Sequence, residues 1–173
     1  MPHYPFALRL LHWLTLLALL TAYGSIESRS LFELSIGQRK IIAFTHVYAG
    51  MTVLIMMLSR LLLRVRTRVD NVTQQGWHHV AKLGHGLLYL LFITVPLLSL
   101  TARYFNGHEW SWMGMAMPIS EYPNRALAKT IMSWHKDIAH MGYWLIGLHT
   151  LAALFHQFVL KDNRLRAMRL WGK

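Results

Sequence analysis

The sequence contains no cysteine. This absence excludes disulfide bonds, iron–sulfur clusters held by thiolates, cysteine-ligated haem and the C-x-x-C-H attachment of covalent haem. Any haem in this chain must therefore be held by histidine or methionine side chains, without a covalent link.

Charged residues are also scarce, since they form 14% of the 173 residues while hydrophobic residues form 54%. That balance is too apolar for a typical soluble domain. The net charge of +11 would suggest a nucleic-acid partner in a soluble protein, but membrane proteins collect lysine and arginine at their cytoplasmic helix ends. The composition predicts a protein of the lipid bilayer with no nucleic-acid partner, and the length fits one domain over residues 1–173.

Four apolar runs are close to the roughly 20 residues that an α-helix needs to cross a bilayer. They are Phe6–Tyr23, Ile41–Leu63, Val80–Ala102 and Ile131–Leu160. A signal peptide is an alternative for the first run, but Arg9 and His12 interrupt it and no clean small-residue cleavage site follows. The sequence predicts an all-α integral membrane protein, a bundle of four transmembrane helices.

The connections between these runs are polar. Residues 24–40 and 70–76 form loops, and Arg103–Thr130 is the longest connection. Its Trp110 and Trp112 are typical of a segment at the membrane interface. We expect a short interfacial helix near Asn124–Lys129.

The distribution of lysine and arginine orients the predicted bundle. With four spans, both termini and the middle connection share one side, and that side holds eleven of the 18 lysines and arginines. The positive-inside rule places this side, with both termini, in the cytoplasm. No feature of the sequence sets an oligomeric state.

The last apolar run carries four histidines, which is unusual because an imidazole that faces hydrocarbon is costly. His135 and His149 are 14 residues apart, nearly four helical turns, so both project from one face about 21 Å apart along the axis. The orientation places His149 at the depth of His12, in the cytoplasmic half. It places His135 at the depth of His46, in the outer half. Each pair then bridges two helices, as the axial ligands of one flat macrocycle must.

Zinc, copper or a proton relay are alternatives for histidines in a membrane. Zinc prefers about four converging ligands, often with cysteine or carboxylate. Only pairs converge here, and no Asp or Glu lies deep in any predicted span. Haem iron needs two trans imidazoles and an apolar slot. Gly50, four residues after His46 and on the same face, would let a large flat ligand or another helix approach.

Three further polar side chains are expected near the cytoplasmic pair. His85, His156 and Arg9 are candidates for contacts with a haem propionate or a quinone. His156 is also an alternative ligand to His149, because it lies seven residues further along the same face. His140 lies off that face and is expected to be a packing residue.

Cationic side chains flank the predicted outer pair. They are Arg39, Lys40, Arg125, Lys129 and Lys136. A positive patch at this place would raise the local concentration of a small anionic electron donor. Anchoring of the helix ends is the alternative explanation.

These residues resemble the bacterial cytochrome b561 family of four-helix di-haem proteins over essentially the whole chain. An ordered set of short motifs carries the resemblance. The motifs are HW at His12–Trp13, RLLLR at Arg60–Arg64, GHGLLY at Gly84–Tyr89, SWH at Ser133–His135, GLH at Gly147–His149 and KDN at Lys161–Asn163. No single motif is specific, but their order along one chain is.

The resemblance implies a multi-pass protein of the bacterial inner membrane that exchanges electrons with ubiquinone. It also implies two b-type haems, with iron ligated by four residues: His12, His46, His135 and His149. Close relatives in the family are described as oxidising superoxide at the periplasmic side and delivering its electron to ubiquinone. A superoxide:ubiquinone oxidoreductase is therefore one expected activity.

Two other functions stay open at this point. Membrane subunits of hydrogenase and formate dehydrogenase share the pattern, so the chain would also suit a haem-bearing anchor that passes electrons from a partner enzyme to quinone. A transporter without haem is the third alternative. An absorption spectrum with reductant separates the third from the first two.

Overall fold

The computed structural model of this protein describes residues 5–67, 78–161 and 168–170. The predicted polar turn at residues 70–76 lies outside the described residues. So do Asp162 and Asn163 of the last motif, and most of the basic tail.

Four long helices follow one another along the chain. They are α1 Phe6–Leu31, α2 Ile36–Thr67, α3 His78–Asn106 and α4 Arg125–Phe158. Each is long and apolar enough to cross a membrane. The predicted all-α bundle of four transmembrane helices is therefore confirmed, while the side on which the termini lie stays a prediction.

The helices extend beyond the apolar runs that the sequence shows. Only residues 32–35 separate α1 from α2, so most of the predicted loop at 24–40 is helical. The predicted interfacial helix at Asn124–Lys129 is wrong as a separate element, because these residues begin α4. The Asn124 side chain caps α4 by accepting a hydrogen bond from the Leu127 amide at 3.0 Å.

The connection between α3 and α4 contains a small β-hairpin. Strand β1 is Ser111–Trp112 and strand β2 is Met115–Ala116, paired antiparallel. The two turn residues, Met113 and Gly114, have φ of 50° and 80°. Positive φ at both positions is the two-residue turn that matches strand twist. The Met113 amide donates to the Tyr48 hydroxyl at 3.3 Å, so the hairpin rests against α2.

The packing order is α1 against α2, α2 against α3, and α3 against α4. An apolar cluster lies at mid-bundle. Its buried members are Ala18, Val53, Met57, Leu91 and Phe92. Leu17 and Leu20 point outward and are each 62% exposed, which suits a lipid environment. Below, "hairpin end" means the end of the bundle that carries the β-hairpin, and "termini end" means the opposite end, where α1 begins and α4 finishes.

Two tyrosines connect α1 to α4. The Tyr23 hydroxyl donates to the Ala139 carbonyl at 2.8 Å, and the Tyr143 hydroxyl donates to a Glu27 carboxylate oxygen at 2.5 Å. The two phenol rings meet edge to face with centroids 4.7 Å apart. Gly142 on α4 makes room for the Tyr23 hydroxyl. This contact holds α1 against α4 at the hairpin end.

Replacing Gly142 with alanine is expected to destabilise the bundle by about 1–3 kcal/mol, the usual cost of an added methyl in a packed site. The new methyl group would overlap the Tyr23 hydroxyl, which would have to move away from Ala139. Thermal unfolding in detergent, followed by circular dichroism, measures the loss. Gly24→Ala is the control, because a methyl group there meets nothing within 4 Å. The Gly142→Ala cost should shrink in a Tyr23→Phe background, and an equal cost in both backgrounds would contradict this packing argument.

Candidate functional site

His12 and His149 face each other at the termini end. His12 comes from the second turn of α1, and His149 comes from the last third of α4. Their ring centroids are 6.4 Å apart and their planes are 62° apart. Two helices that are distant in sequence thus bring two imidazoles to one place.

His46 and His135 face each other in the same way towards the hairpin end. His46 comes from α2 and His135 from α4, and their ring centroids are 6.3 Å apart with planes at 88°. The mid-bundle apolar cluster lies between this pair and the first one along the helices. The rings therefore meet in the same two pairs that their depths in the sequence predict, while their role as iron ligands stays a prediction.

Both rings of the hairpin-end pair are tied to backbone carbonyls. His46 Nδ1 lies 2.8 Å from the Ala22 carbonyl oxygen, and His135 Nδ1 lies 2.8 Å from the Val95 carbonyl oxygen. A carbonyl only accepts hydrogen bonds, so Nδ1 carries the proton in each ring. The lone pair is then on Nε2. This is the arrangement that orients a histidine for metal binding.

The spacing of both pairs suits two axial ligands of one metal ion. Imidazole nitrogens bind metal ions such as zinc at about 2.0–2.1 Å, and each ring centroid lies about 1.2 Å behind its nitrogen, so two trans ligands have centroids about 6.5 Å apart. The observed values of 6.4 Å and 6.3 Å agree with that distance. The residues present therefore fit a haem iron at each pair.

His85 on α3 lies beside the termini-end pair. Its ring centroid is 5.7 Å from that of His149. That distance is shorter than two trans metal bonds require, which makes His12 the better partner for His149. His85 remains a polar neighbour of the pair, as the sequence predicts.

Within the described residues, no group of three or more histidine, aspartate or glutamate side chains converges on a metal-sized site. Zinc in proteins usually takes four ligands, or three plus a water. Pairs of imidazoles without a third ligand suit a metal that a macrocycle already holds in its plane. This observation favours haem over a protein-bound zinc or copper ion.

Arg60 on α2 is a charged neighbour of the termini-end pair. Its guanidinium is close enough to act electrostatically on both His12 and His149. Its buried Nε atom has no hydrogen-bond partner in the described part of the chain, and the guanidinium lies over the Tyr89 ring at 5.8 Å. The positive charge of Arg60 disfavours any further positive charge on the two imidazoles or on a metal ion that they hold.

A cationic cavity of about 500 Å³ lies near the hairpin-end pair, between the end of α3 and the start of α4. Four of its lining residues are cationic: Arg103, Arg125, Lys129 and Lys136. None of the described side chains that line it is acidic. The cavity reaches the neighbourhood of His135, since Arg103 and Lys136 both act electrostatically on that ring. Arg39 and Lys40, also expected at this patch, do not line the cavity.

The other predicted contact residues are placed as follows. Arg9 Nη1 donates to the Arg169 carbonyl at 2.6 Å, and neighbouring Trp13 donates to the Met168 carbonyl at 2.9 Å, so the C-terminal segment lies against α1. His156, near the end of α4, has its ring against Phe155. His140 is exposed and packs on Tyr143 at 6.2 Å.

Arg60 and Arg103 are site residues that the sequence reasoning missed. The sequence shows Arg60 only as the first residue of the RLLLR motif. It follows His46 by 14 residues, the same near-integral number of turns that separates His135 from His149. Arg103 follows His85 by 18 residues, five full turns of α3. The helical spacing would have placed each arginine on a histidine-bearing face.

The sequence model for prokaryotic cytochrome b561 matches residues 3–170 of this chain. The chain therefore belongs to the prokaryotic cytochrome b561 family. Membership makes it a bacterial membrane protein of electron transfer, and haem b is the cofactor that the family implies.

Curated relatives agree with this assignment. A Yersinia pestis protein named probable superoxide oxidase CybB is 37% identical over 164 residues, 91% of this chain and 90% of the relative. Cytochrome b561 homolog 1 of Escherichia coli strain K12 is 34% identical over 161 residues, 91% and 92% of the two chains. Cytochrome b562 of Cereibacter sphaeroides is 33% identical over 125 residues, 72% of this chain and 66% of the relative.

Proposed function

We propose that this protein carries single electrons across the bacterial inner membrane through two b-type haems. His12 and His149 would hold one, and His46 and His135 would hold the other. The observation that carries this proposal is the pair of facing imidazoles at each of two depths, 6.4 Å and 6.3 Å between centroids. The hairpin end is proposed to face the periplasm and the termini end the cytoplasm, as the positive charge predicts.

The bound haems would supply reversible one-electron chemistry. The chain's own residues decide what that chemistry is used for. Each haem would be held by two imidazoles of the chain, which would favour electron transfer over oxygen binding. The Ala22 and Val95 carbonyls fix the ring orientations of His46 and His135. The buried members of the apolar cluster between the pairs offer water no hydrogen-bonding side chain in the middle of the bundle.

The proposed electron donor is superoxide at the hairpin end. Two observations support it. The Yersinia pestis relative carries the name probable superoxide oxidase. The cavity of Arg103, Arg125, Lys129 and Lys136 offers four positive charges to a small anion beside His135. Superoxide would lose one electron there and leave as dioxygen.

The proposed electron acceptor is ubiquinone at the termini end. A quinone needs hydrogen-bond donors at its carbonyl oxygens and protons as it becomes a quinol. His85 lies next to His149, while His156 and Arg9 belong to the same end of the bundle. Histidine can both donate a hydrogen bond and deliver a proton near neutral pH.

The proposed function is tested by purifying the protein and measuring its haem content and its reduced-minus-oxidised spectrum. Two haems b per chain are expected. Superoxide should reduce them, and ubiquinone should reoxidise them with a matching yield of quinol. A single haem per chain, or none, would contradict the proposal. Inertness towards superoxide, with a dehydrogenase subunit co-purifying as the reductant, would favour the anchor-subunit alternative.

Replacing His85 or His156 with phenylalanine is expected to slow reoxidation of the reduced protein by ubiquinone by about tenfold or more, since general acid–base groups commonly contribute 10²–10⁴-fold. Haem content and reduction by superoxide should stay near normal. Stopped-flow absorbance of the haem band measures both half-reactions. His140→Phe is the control, because that exposed histidine packs at the hairpin-end half of α4. Unchanged reoxidation in both test variants would move the quinone site elsewhere.

A further inference from the structure

The two histidine pairs differ in their hydrogen bonds. Both rings of the hairpin-end pair donate Nδ1–H to backbone carbonyls at 2.8 Å. At the termini end, His12 Nδ1 is buried and has no hydrogen-bond partner among the residues that the structure describes. His149, across from it, has ring contacts with His12 and His85. The two pairs thus have the same ring spacing, but among the described residues His12 lacks the Nδ1 hydrogen bond that His46 and His135 make.

A hydrogen bond from Nδ1 makes an imidazole a more basic ligand. A more basic ligand stabilises iron(III) over iron(II), because the oxidised ion carries the larger positive charge. Ligand identity and hydrogen bonding around it are two of the means by which proteins set haem potentials. The carbonyls of Ala22 and Val95 should therefore lower the reduction potential of the hairpin-end site.

Charged side chains next to the two pairs leave this difference in place. Arg60 acts electrostatically on both rings of the termini-end pair, whereas Arg103 and Lys136 act on His135 at the hairpin end. A nearby positive charge favours the reduced state, which carries one positive charge fewer. Arg103 offsets Arg60 in this respect. Lys136 is exposed and lines a surface cavity, where solvent and salt screen it.

We infer that the termini-end site has the higher reduction potential, so an electron that arrives at the hairpin end moves downhill to the termini end. In that step one electron leaves iron(II) at the hairpin end and reduces iron(III) at the termini end, with no bond made or broken. This inference rests on the proposed function. It adds the order of the two reduction potentials, which the hydrogen bonds of the protein set.

The test is a spectroelectrochemical redox titration of the purified protein and of two single-site variants. Two components are expected in the wild type. The haem that remains in His46→Ala should titrate at the higher potential, and the haem that remains in His12→Ala at the lower one. A reversed order, or two equal potentials, would overturn the inference. A wild type that binds fewer than two haems would instead overturn the proposed function.

Arg60→Gln gives a second test in which both histidine pairs are intact. Only the higher-potential component should fall, by at least tenfold in its reduction equilibrium, which is about 59 mV for one electron. Arg64→Gln is the matched control, because Arg64 also lies over the Tyr89 ring, at 6.0 Å, one turn further along α2. A fall in the lower-potential component alone, or equal effects of both variants, would contradict the assignment.

The hydrogen bonds themselves are tested by ligand replacement. In His46→Gly, added imidazole can restore both the iron bond and the hydrogen bond to Ala22, whereas 1-methylimidazole can restore only the iron bond. The hairpin-end potential should be higher with 1-methylimidazole. In His12→Gly the two added ligands should give nearly equal potentials at the termini end, because no described residue accepts or donates a hydrogen bond at His12 Nδ1. The same difference at both sites would remove the carbonyl explanation.

Discussion

Replacing His46 or His135 with alanine is expected to remove the haem of the hairpin end and to leave the other haem in place. Each of these side chains supplies one of two axial bonds, and the ring across from it, 6.3 Å away, cannot replace the missing ligand. The termini-end pair should be unaffected, because an apolar layer separates it from the hairpin-end pair. His12→Ala and His149→Ala should have the opposite effect. Haem content should fall in every case from two to about one per chain, measured by the pyridine haemochrome spectrum.

The decisive result is which spectral component each variant loses. His46→Ala and His135→Ala should lose the same component, and His12→Ala and His149→Ala should lose the other. His140→Ala is the control on α4 and should keep both, since that side chain is exposed. Loss of the same component in His12→Ala and His46→Ala would show that the pairing is wrong.

The histidine pairing is the part of the site that the sequence predicts best. A helix fixes the direction of each side chain through its 3.6-residue turn, and a bilayer fixes its depth through the length of each span. His135 and His149 therefore had to lie on one face, about 21 Å apart. His12 and His46 had to lie near opposite ends of the bundle. In the structure each of them faces the α4 histidine of its own depth.

The sequence does not predict the hydrogen-bond partners of these rings. The acceptors for His46 and His135 are the carbonyls of Ala22 and Val95, and every residue has a carbonyl, so no residue type marks them. Which carbonyl lies opposite a given Nδ1 depends on helix rotation and offset, which packing decides. The contact of Tyr23 with Tyr143 depends on the same packing. The sequence therefore does not predict it, although it shows that both tyrosines lie within apolar runs.

The sequence also predicts helix starts at the wrong residues, for a different reason. Hydropathy measures the part of a helix that lies in hydrocarbon, and a helix with polar ends continues into the interface with its own hydrogen bonds intact. Ile36–Lys40 is polar enough to read as a loop, yet it forms the first turns of α2. Arg125–Lys129 likewise begins α4, where the Asn124 cap sets the start.

Reversing the charge of Lys129 and Lys136 together is expected to slow reduction by superoxide by about tenfold at low salt, since electrostatic steering changes arrival rates by 10–10³. Both lysines line the cavity near His135 and are exposed, so their field acts on an approaching anion. The variant Lys129→Glu/Lys136→Glu would turn two of the four cationic side chains into anions. Haem content and spectra should not change, because neither residue belongs to a histidine pair.

In the wild type, added salt should slow reduction by superoxide, as the charge reversal does in the variant. The Debye length falls from ~10 Å at 0.1 M salt to ~3 Å at 1 M, so an anion approaching the cavity no longer senses its charge from a distance. Reduction by superoxide should therefore slow across a salt series, whereas reduction by a neutral quinol should barely change. Lys40→Glu is the matched control: an exposed lysine at the same end of the bundle, outside the cavity. If stopped-flow traces show equal salt dependence for both donors, or an equal loss in Lys40→Glu, steering by the cavity is wrong and the anchor-subunit alternative gains support.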